Sequence, residues 1–468
     1  MPDIGALLGR CDSVAKQILQ LAALGKKLLV VTHIDADGLA SGSIVFAALM
    51  RKGANVTVRA IPDLDQNRIG ELKADRFDYY IFTDLGSTLL GELNEALDGR
   101  FLVIDHHQLP EEDLANASVV NSWQYGIDGG TGACSSSMAY AFSRAVDPAN
   151  SDLSSLAVIG AVADRQDSGP GRALTDLNRF ALDEALLSGS LSVEKDLIFA
   201  GRETRPVHEA IALTSNPYLP GLSGSKDAAL AALKRSGFEL KESGHWRTVS
   251  ELSSDEKMKV TEVIAGVVSA TGDVTASISE LFGEVYTLKL EDQSSPLRDA
   301  REFGTLLNAT GRMDRAGVGV AVCLGDRGVS LSEAIRTLSE YRSNIGKAMD
   351  AISSDESRQV LHGHMVFVRG DGVVDEKLLG PVTSILTSAP GRKDKVVVAR
   401  TSSGEGELKF SSRVGDDFAG SVNLGTVMRE SAEAVGGVGG GHEMAAGAKI
   451  PAARADLFEK LVLEKVAA

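Results

Sequence analysis

The sequence predicts a bilobal α/β protein. It should have an N-terminal domain built on a parallel sheet, a mostly helical middle segment and a C-terminal domain of mixed α/β structure. Three observations carry this expectation. Residues 1–199 alternate short apolar runs with helical patterns. Residues 200–300 change character, with Pro206, Pro217 and Pro220 breaking the chain. Residues 301–468 return to strand-like runs and end in a glycine cluster and a helix. A chain of 468 residues is too long for one compact core, which agrees with such a division.

The elements follow in order. KLLVVTH (27–33) reads as a strand, followed by the helix GLASGSIVFAALMRKG. NVTVRAI (55–61) and DYYIFTD (78–84) read as strands, with a helix near Ser87–Leu97. FLVID (101–105) is a fourth strand. Apolar runs of this length separated by helices indicate a parallel sheet covered on both faces. Helical patterns recur near 132–146, 152–163 and 173–188. In the middle segment NPYLPGLSGSKD reads as a loop, and KDAALAALKRSG and SSDEKMKVTEVIAGVVSA as helices. Beyond residue 300, GVGVAVCLG, HGHMVFVRG, DKVVVARTS and GELKFSSR read as strands. SLSEAIRTLSEYRSNIGKAMDAISS reads as a long amphipathic helix, and a last helix begins near Ala452.

The formal net charge of -16 argues against coating nucleic acid with general basic charge. An acidic cluster neutralised by metals stays compatible with it. No run of about 18 uninterrupted apolar residues appears, so no membrane span is expected. The N-terminal stretch lacks the basic start and apolar centre of a signal peptide. Cys11, Cys134 and Cys323 lie far apart, without a CxxC, which suits a reducing cytoplasm.

Acids and histidines gather where the apolar runs end. The first strand ends in His33, followed by Asp35 and Asp37; the third ends in Asp84; the fourth ends in Asp105, His106 and His107; the apolar run LAVIGAVAD ends in Asp164. In an open parallel sheet, ligands bind outside the carboxyl ends of the strands, so these groups can converge on one edge. Carboxylates held close together repel unless a cation intervenes. Several aspartates with histidine suit two divalent ions, Mn²⁺ by preference and Mg²⁺ as an alternative. Two ions about 3.5–4 Å apart activate water and stabilise the leaving oxygen of a phosphodiester. Asp84, alone on its strand end, is the natural bridging candidate.

THIDADG, FTDLGS, VIDHHQ and AVADRQD resemble, in order, motifs I to IV of the DHH phosphoesterase superfamily, and DHH itself stands at 105–107. GGGHEMAAG (439–447) resembles the glycine motif of the DHH-associated C-terminal domain. Within the superfamily the chain resembles archaeal RecJ-like single-strand nucleases of the GINS-associated type. The HIDADG and ADRQ forms of motifs I and IV, the middle segment and EFGTLLNATGR (302–312) carry that resemblance. It implies a DHH catalytic domain over 1–199, a middle segment over 200–300 suited to docking a partner such as GINS, and a DHH-associated substrate-binding domain over 301–468. It implies that His33, Asp35 and Asp84 hold one ion, that Asp37, Asp84, His106 and Asp164 hold the other, and that Asp84 bridges. His107 would contact the scissile phosphate, and Asp105 would support the loop and orient a histidine.

The implied activity is metal-dependent exonuclease action on single-stranded DNA, or RNA, with 5′→3′ preferred slightly over 3′→5′. A small-substrate phosphoesterase and a GINS-binding replisome component are the alternatives. For substrate, Lys409, Ser411, Ser412 and Arg413 form a short polar-basic cluster of the kind that holds phosphate. Gly439, Gly440 and Gly441 would let backbone approach a ligand and His442 would add a donor, ahead of a helix expected from Glu443 that aims N–H groups at phosphate. Arg202, Arg205 and Arg312 are weaker phosphate candidates, and Trp123 and Tyr125 are candidates to stack on a base.

Overall fold

The computed structural model describes residues 2–109, 118–214, 217–269, 278–389, 391–404, 406–415 and 417–467. Asn216 of the expected loop and Ala270 at the end of the second middle helix lie outside them. The chain forms two compact units. One holds Met1–Ile211, Leu233–Glu262 and Ile278–Leu338; the other holds Ala212–Ala232, Val263–Ser277 and Ser339–Ala468. Residues 301–338, placed with the C-terminal domain on sequence, therefore fall in the first unit.

The first unit begins with α1 (Ile4–Ala23), β1 (Lys27–His33), α2 (Ala36–Arg51), β2 (Asn55–Ile61), α3 (Gln66–Ala74), β3 (Tyr79–Thr83), α4 (Leu90–Leu97), β4 (Phe101–Asp105) and β5 (Val119–Asn121). The five strands form one parallel sheet in the order β2-β1-β3-β4-β5. β1 and β4 are buried on both faces, which explains their unbroken apolar runs. The edge strand β2 alternates exposed and half-buried residues over most of its length. On one face, Leu29, Val31, Phe82 and Val103 pack against Ile69 and Leu72 of α3 and Leu90 and Leu93 of α4. On the other, α2 packs against β1 and is joined by α5 (Ser135–Val146) and α6 (Ser154–Ala163); α7 (Asp176–Leu187) packs on α6. The N-terminal helix α1, not assigned from the sequence, buries Leu7, Cys11, Val14, Ala15 and Ile18 and packs on α5.

From β1 the chain moves to β2 on one side and then to β3 on the other. This order creates a crevice at the carboxyl ends of β1 and β3, the switch point of the sheet.

β6 (Leu191–Leu197) pairs antiparallel with β7 (Phe282–Leu288). Neither was assigned from the sequence, and β7 lies in the stretch expected to be helical. The expected helices appear as α9 (Lys226–Arg235) and α10 (Ser254–Val268), preceded by α8 (Val207–Leu213). α11 (Ala300–Arg312) and α12 (Ala316–Cys323) follow, and both pack on α2. GVGVAVCLG, expected as a strand, is thus mostly helix. A short valine-rich run buried between helices has the same apolar signature as a buried strand, and periodicity cannot separate the two. The long helix α13 spans Val329–Ser353.

The second unit contains β8 (Gln359–His362), β9 (Met365–Arg369), α14 (Leu379–Thr387), β10 (Val396–Ser402), β11 (Glu407–Val414), α15 (Leu424–Glu433), β12 (Val438–Gly441), β13 (Ala445–Pro451) and α16 (Ala455–Ala467). Its mixed sheet runs β8-β9-β10-β11-β13-β12. One face carries Phe367, Val398, Phe410, Ala448 and Ile450 against Met428 of α15 and Phe458 and Val462 of α16. α14 packs on β10 and β11.

The helix expected from Glu443 is instead strand β13. Ala446, Ala448 and Ile450 are buried while Lys449 is exposed, a period of two that the alanine-rich composition masked. The glycine cluster is a β-hairpin, and its glycines differ in role. A Cβ at Gly439 would lie 2.4 Å from the Met428 carbonyl oxygen of α15, whereas one at Gly440 meets nothing within 4 Å. Gly439→Ala should therefore destabilise the chain by about 1–3 kcal/mol. Gly440→Ala should stay within about 0.5 kcal/mol of wild type. Urea unfolding of the two variants checks this; equal losses would show that the helix is not what demands glycine at 439.

Candidate metal centre

The loop after β1 turns directly into α2. Asp35 is the N-cap of α2, its carboxylate accepting the Gly38 N–H at 2.9 Å, and Asp37 lies in the first helical turn. Asp84 follows β3 with a left-handed backbone, φ 61°. Aspartate tolerates that region better than most residues, but held strain concentrates at working sites. Asp105 closes β4, and Asp164 is the C-cap of α6.

These elements bring the predicted residues together at the switch point. His33 Nδ1 lies 3.0 Å from Asp35 Oδ2 and 3.4 Å from Asp84 Oδ2. His106 Nε2 lies 3.4 Å from Asp84 Oδ1, 3.9 Å from Asp164 Oδ2 and 4.0 Å from Asp37 Oδ2. The two oxygens of Asp84 thus face two separate donor groups: His33 and Asp35 on one side, His106 with Asp37 and Asp164 on the other. In each group the possible ligand atoms lie within 4.8 Å of one another.

The donor chemistry fits divalent ions. His106 Nδ1 is 2.5 Å from the Gly129 carbonyl, which can only accept, so Nδ1 carries the proton and Nε2 faces the acids. His107 is held differently. Its Nδ1 bonds to Asp105 Oδ1 at 2.7 Å, and Asp105 also accepts the backbone N–H groups of His106, His107 and Ser87. Asp105 is therefore occupied in orienting the two histidines.

The electrostatics show the strain of this arrangement without cations. Burial, then the charges of Asp84 and Asp164, push the Asp37 carboxyl up to about 7, against the opposing pull of His106. Asp164 is walled by protein although 36% of its side chain is exposed. Lost hydration there, with Asp35 and Asp84 nearby, moves it to about 6. Burial alone would lower His33 and His106, but the carboxylates around them raise both well above the ordinary imidazole value. Burial would raise Asp35 and Asp105; His33 and His107 respectively outweigh it and hold both below the usual carboxylate range. The Arg312 guanidinium adds to the pull on Asp35.

Several supporting residues were not singled out from the sequence. The N–H groups of Ser135 and Ser136 donate to Asp37 at 2.8 and 2.9 Å, and Ser135 Oγ donates to Asp84 at 3.0 Å. The serine run at the start of α5 was their only signal. Gln166 donates to Asp164 and to the Gly129 carbonyl, both at 2.8 Å, and is itself held by Asn178 at 2.7 Å. Asp167, left out of the predicted site, pairs with Arg301 at 2.5 Å. Trp123, a candidate to stack on a base, donates its indole N–H to the His106 carbonyl at 2.9 Å. The Tyr125 carbonyl accepts the Asp3 N–H, a contact to α1's N-cap. Arg202 is buried against Asp196 and Glu203, and Arg205 pairs with Glu209, so these two weaker candidates are tied into the fold.

The second unit holds the predicted substrate residues. Lys409, Ser411 and Arg413 point to one face of β11, whereas buried Ser412 points to the other and donates to the Ala446 carbonyl at 3.1 Å. Ser411 pairs across the sheet with Gly447, and Gly447 with Gly440. Arg413 donates to the Ser412 carbonyl at 2.8 Å and to Ser384 of α14 at 3.2 Å. Gly441 and His442 begin the hairpin turn, where the His442 N–H donates to the Ala445 carbonyl at 2.8 Å. With a strand from Ala445, the helix N-terminus expected to bind phosphate is absent, and Gly439 belongs to the packed side of the sheet. The face with Lys409, Ser411, Arg413 and Gly440 retains the polar-basic character.

Fold and site together have the arrangement expected of a DHH-type protein, and the comparison with known families finds DHH domains. The DHH family N-terminal domain matches residues 27–161, the DHH-CID domain residues 199–282 and the DHHA1 domain residues 362–468. The chain thus carries DHH, DHH-CID and DHHA1 domains in that order. An uncharacterized protein of Methanocaldococcus jannaschii is 27% identical over 93% of this chain and 92% of its own length. RecJ of Thermus thermophilus in complex with Mn²⁺ shares the fold with a TM-score of 0.60 and 17% identity. The match covers 98% of this chain but 55% of that one, so the chain spans about half of that RecJ. CDC45 of Entamoeba histolytica has a TM-score of 0.67 at 11% identity, covering 98% of this chain and 99% of that one. Among the described residues no helix is long and apolar enough to cross a membrane.

The shifted acids set a pH dependence for the metal-free protein. Asp37 and Asp164 have folded values of about 7 and about 6 against 3.8 for an ordinary aspartate, so their stability contribution is lost as pH rises through that window. The raised histidines extend the loss above 6.5. Asp35 and Asp105 act oppositely, and their contribution is lost only as pH falls below 3.8. In chelator, stability should therefore be greatest near about pH 4 and decline toward about pH 8, and added Mn²⁺ should raise the Tm more at the higher pH. A Tm series with EDTA or Mn²⁺ tests this. A metal-induced gain that shrinks with rising pH would contradict it.

Proposed function

We propose that this chain is a two-metal phosphodiesterase acting as an exonuclease on single-stranded DNA, with RNA as an alternative strand. The observation that carries the reading is Asp84, whose two oxygens face His33 and Asp35 on one side and His106, Asp37 and Asp164 on the other. His33, Asp35 and Asp84 would hold one ion, and Asp37, Asp84, His106 and Asp164 the other. Mn²⁺ suits this mixture of imidazole and carboxylate, and Mg²⁺ is the alternative.

Two bound ions would supply Lewis acidity toward a phosphodiester and would activate a water. The chain's own residues supply the rest. Ser135 and the N–H groups of Ser135 and Ser136 fix the rotamers of Asp84 and Asp37. Gln166 fixes Asp164. Asp105 fixes the His107 ring through Nδ1, and His107 would contact a phosphate oxygen. No serine or cysteine nucleophile is required. Lys409, Ser411 and Arg413 would grip backbone phosphates of the strand. We give 5′→3′ polarity a slight preference, on resemblance alone.

The test is degradation of single-stranded DNA and RNA, labelled at either end, with Mn²⁺. Asp84→Ala should lower kcat/KM on the order of a thousandfold, with loss of Mn²⁺ binding. His107→Ala should lower kcat by roughly a hundredfold while Mn²⁺ affinity stays unchanged. The label released first reports polarity. Equal activity in wild type and Asp84→Ala would refute the two-metal reading, and turnover confined to di- and trinucleotides would move the assignment to a small-substrate phosphoesterase.

A further inference from the structure

α11 lies far from motif I in sequence, yet it abuts two of the loops that carry the acids. Its Asn308 side-chain oxygen accepts the Ala36 N–H at 3.2 Å. Ala36 is the first residue of α2 and stands between Asp35 and Asp37. That N–H has no partner within its own helix, because the first four N–H groups of any helix lack one. Asp35 satisfies Gly38 and Asn308 satisfies Ala36, so a side chain from another helix completes the cap.

Two glycines let α11 come this close. A Cβ at Gly311 would lie 1.6 Å from the Ile34 carbonyl oxygen, and one at Gly304 would lie 2.6 Å from Cβ of Ala163, which precedes Asp164. Arg301, one turn earlier, pairs with Asp167 beyond it. The helix thus touches the loop of Asp35 and Asp37 at one end and the loop of Asp164 toward the other.

We propose that Asn308 is a positioning residue for the metal centre: by holding the Ala36 N–H it fixes the spread between Asp35 and Asp37. This rests on the two-metal reading above, in which those aspartates serve different ions. A lost anchor between them would let the first turn of α2 shift and would separate the two donor groups that Asp84 joins. Asn308 itself touches neither ion nor substrate.

The test uses the full chain with Mn²⁺ as the probe. Asn308→Leu removes the acceptor at similar volume, and Asn308→Asp keeps an oxygen in its place. Calorimetric titration should show Asn308→Leu binding Mn²⁺ about ten- to a hundredfold more weakly. Asn308→Asp should stay within about threefold of wild type, because the acceptor is retained. Electron paramagnetic resonance supplies a readout that a merely structural role would not move. The exchange-coupled signal of a manganese pair should be present in wild type and Asn308→Asp and lost in Asn308→Leu. Circular dichroism and the Tm in EDTA establish that each variant is folded. Wild-type-like affinity and coupling in Asn308→Leu would overturn the proposal and leave the metal reading intact, as would equal weakening in both variants. Failure of the wild type itself to bind Mn²⁺ would overturn both.

Discussion

The structure is organised around a repulsion. Asp37 and Asp84 are buried against each other, with Asp164 at the same place and Asp35 across Asp84. Without cations the cluster is relieved by protonation: Asp37 and Asp164 rise toward neutrality, and the histidines take up positive charge. A fold does not gather such groups at the switch point of its sheet for stability, since a polar or apolar core would cost less. The arrangement makes sense when a divalent cation replaces the protons, and then the same carboxylates contribute binding energy that is also folding energy.

The surrounding framework follows from that constraint. Each acid is held by donors from neighbouring helices and loops. α5 presents its first N–H groups to Asp37, where a negative charge is favoured. Gln166, Asn178 and the Gly129 carbonyl form a chain that places Asp164 and His106 relative to each other. Asp105 commits its oxygens to the two histidines. The candidate ligands are thus held in place by the protein itself, which would lower the reorganisation that metal binding requires.

Much of this was legible in the sequence, for a physical reason. Parallel strands buried on both faces write unbroken apolar runs, and a polar residue where such a run stops lies at the carboxyl edge. That rule alone locates His33, Asp84, Asp105 and His106. It could not find Ser135, Gln166 or Asn308, because their roles come from tertiary approach and leave no periodic trace. The glycine cluster misled for a related reason. Ala445–Ile450 carries alanines of high helix propensity, but cross-strand pairing with β11 and burial against α15 decide the outcome. GVGVAVCLG failed in the opposite sense, a β-branched run turned helical by burial against α2 and α11.

These errors fall unevenly between the two parts of the function. Most candidate metal ligands lie at or just after strand ends, so strand assignment finds them, whereas Asp164 closes helix α6. The proposed substrate contact in the second unit would depend on which face of β11 and of the hairpin each residue occupies. A period of two divides Lys409, Ser411 and Arg413 from Ser412, and Gly440 from Gly439. A cluster that is contiguous in sequence therefore becomes two half-clusters with different work, one packing α15 and α16 and one facing away from them. The phosphate-gripping role proposed for the motif would fall to the half that faces away from α15 and α16, and in that half the guanidinium of Arg413 is already steadied by Ser384 and the Ser412 carbonyl. A charge pre-oriented in this way loses less side-chain entropy on meeting a phosphate than a freely rotating lysine would.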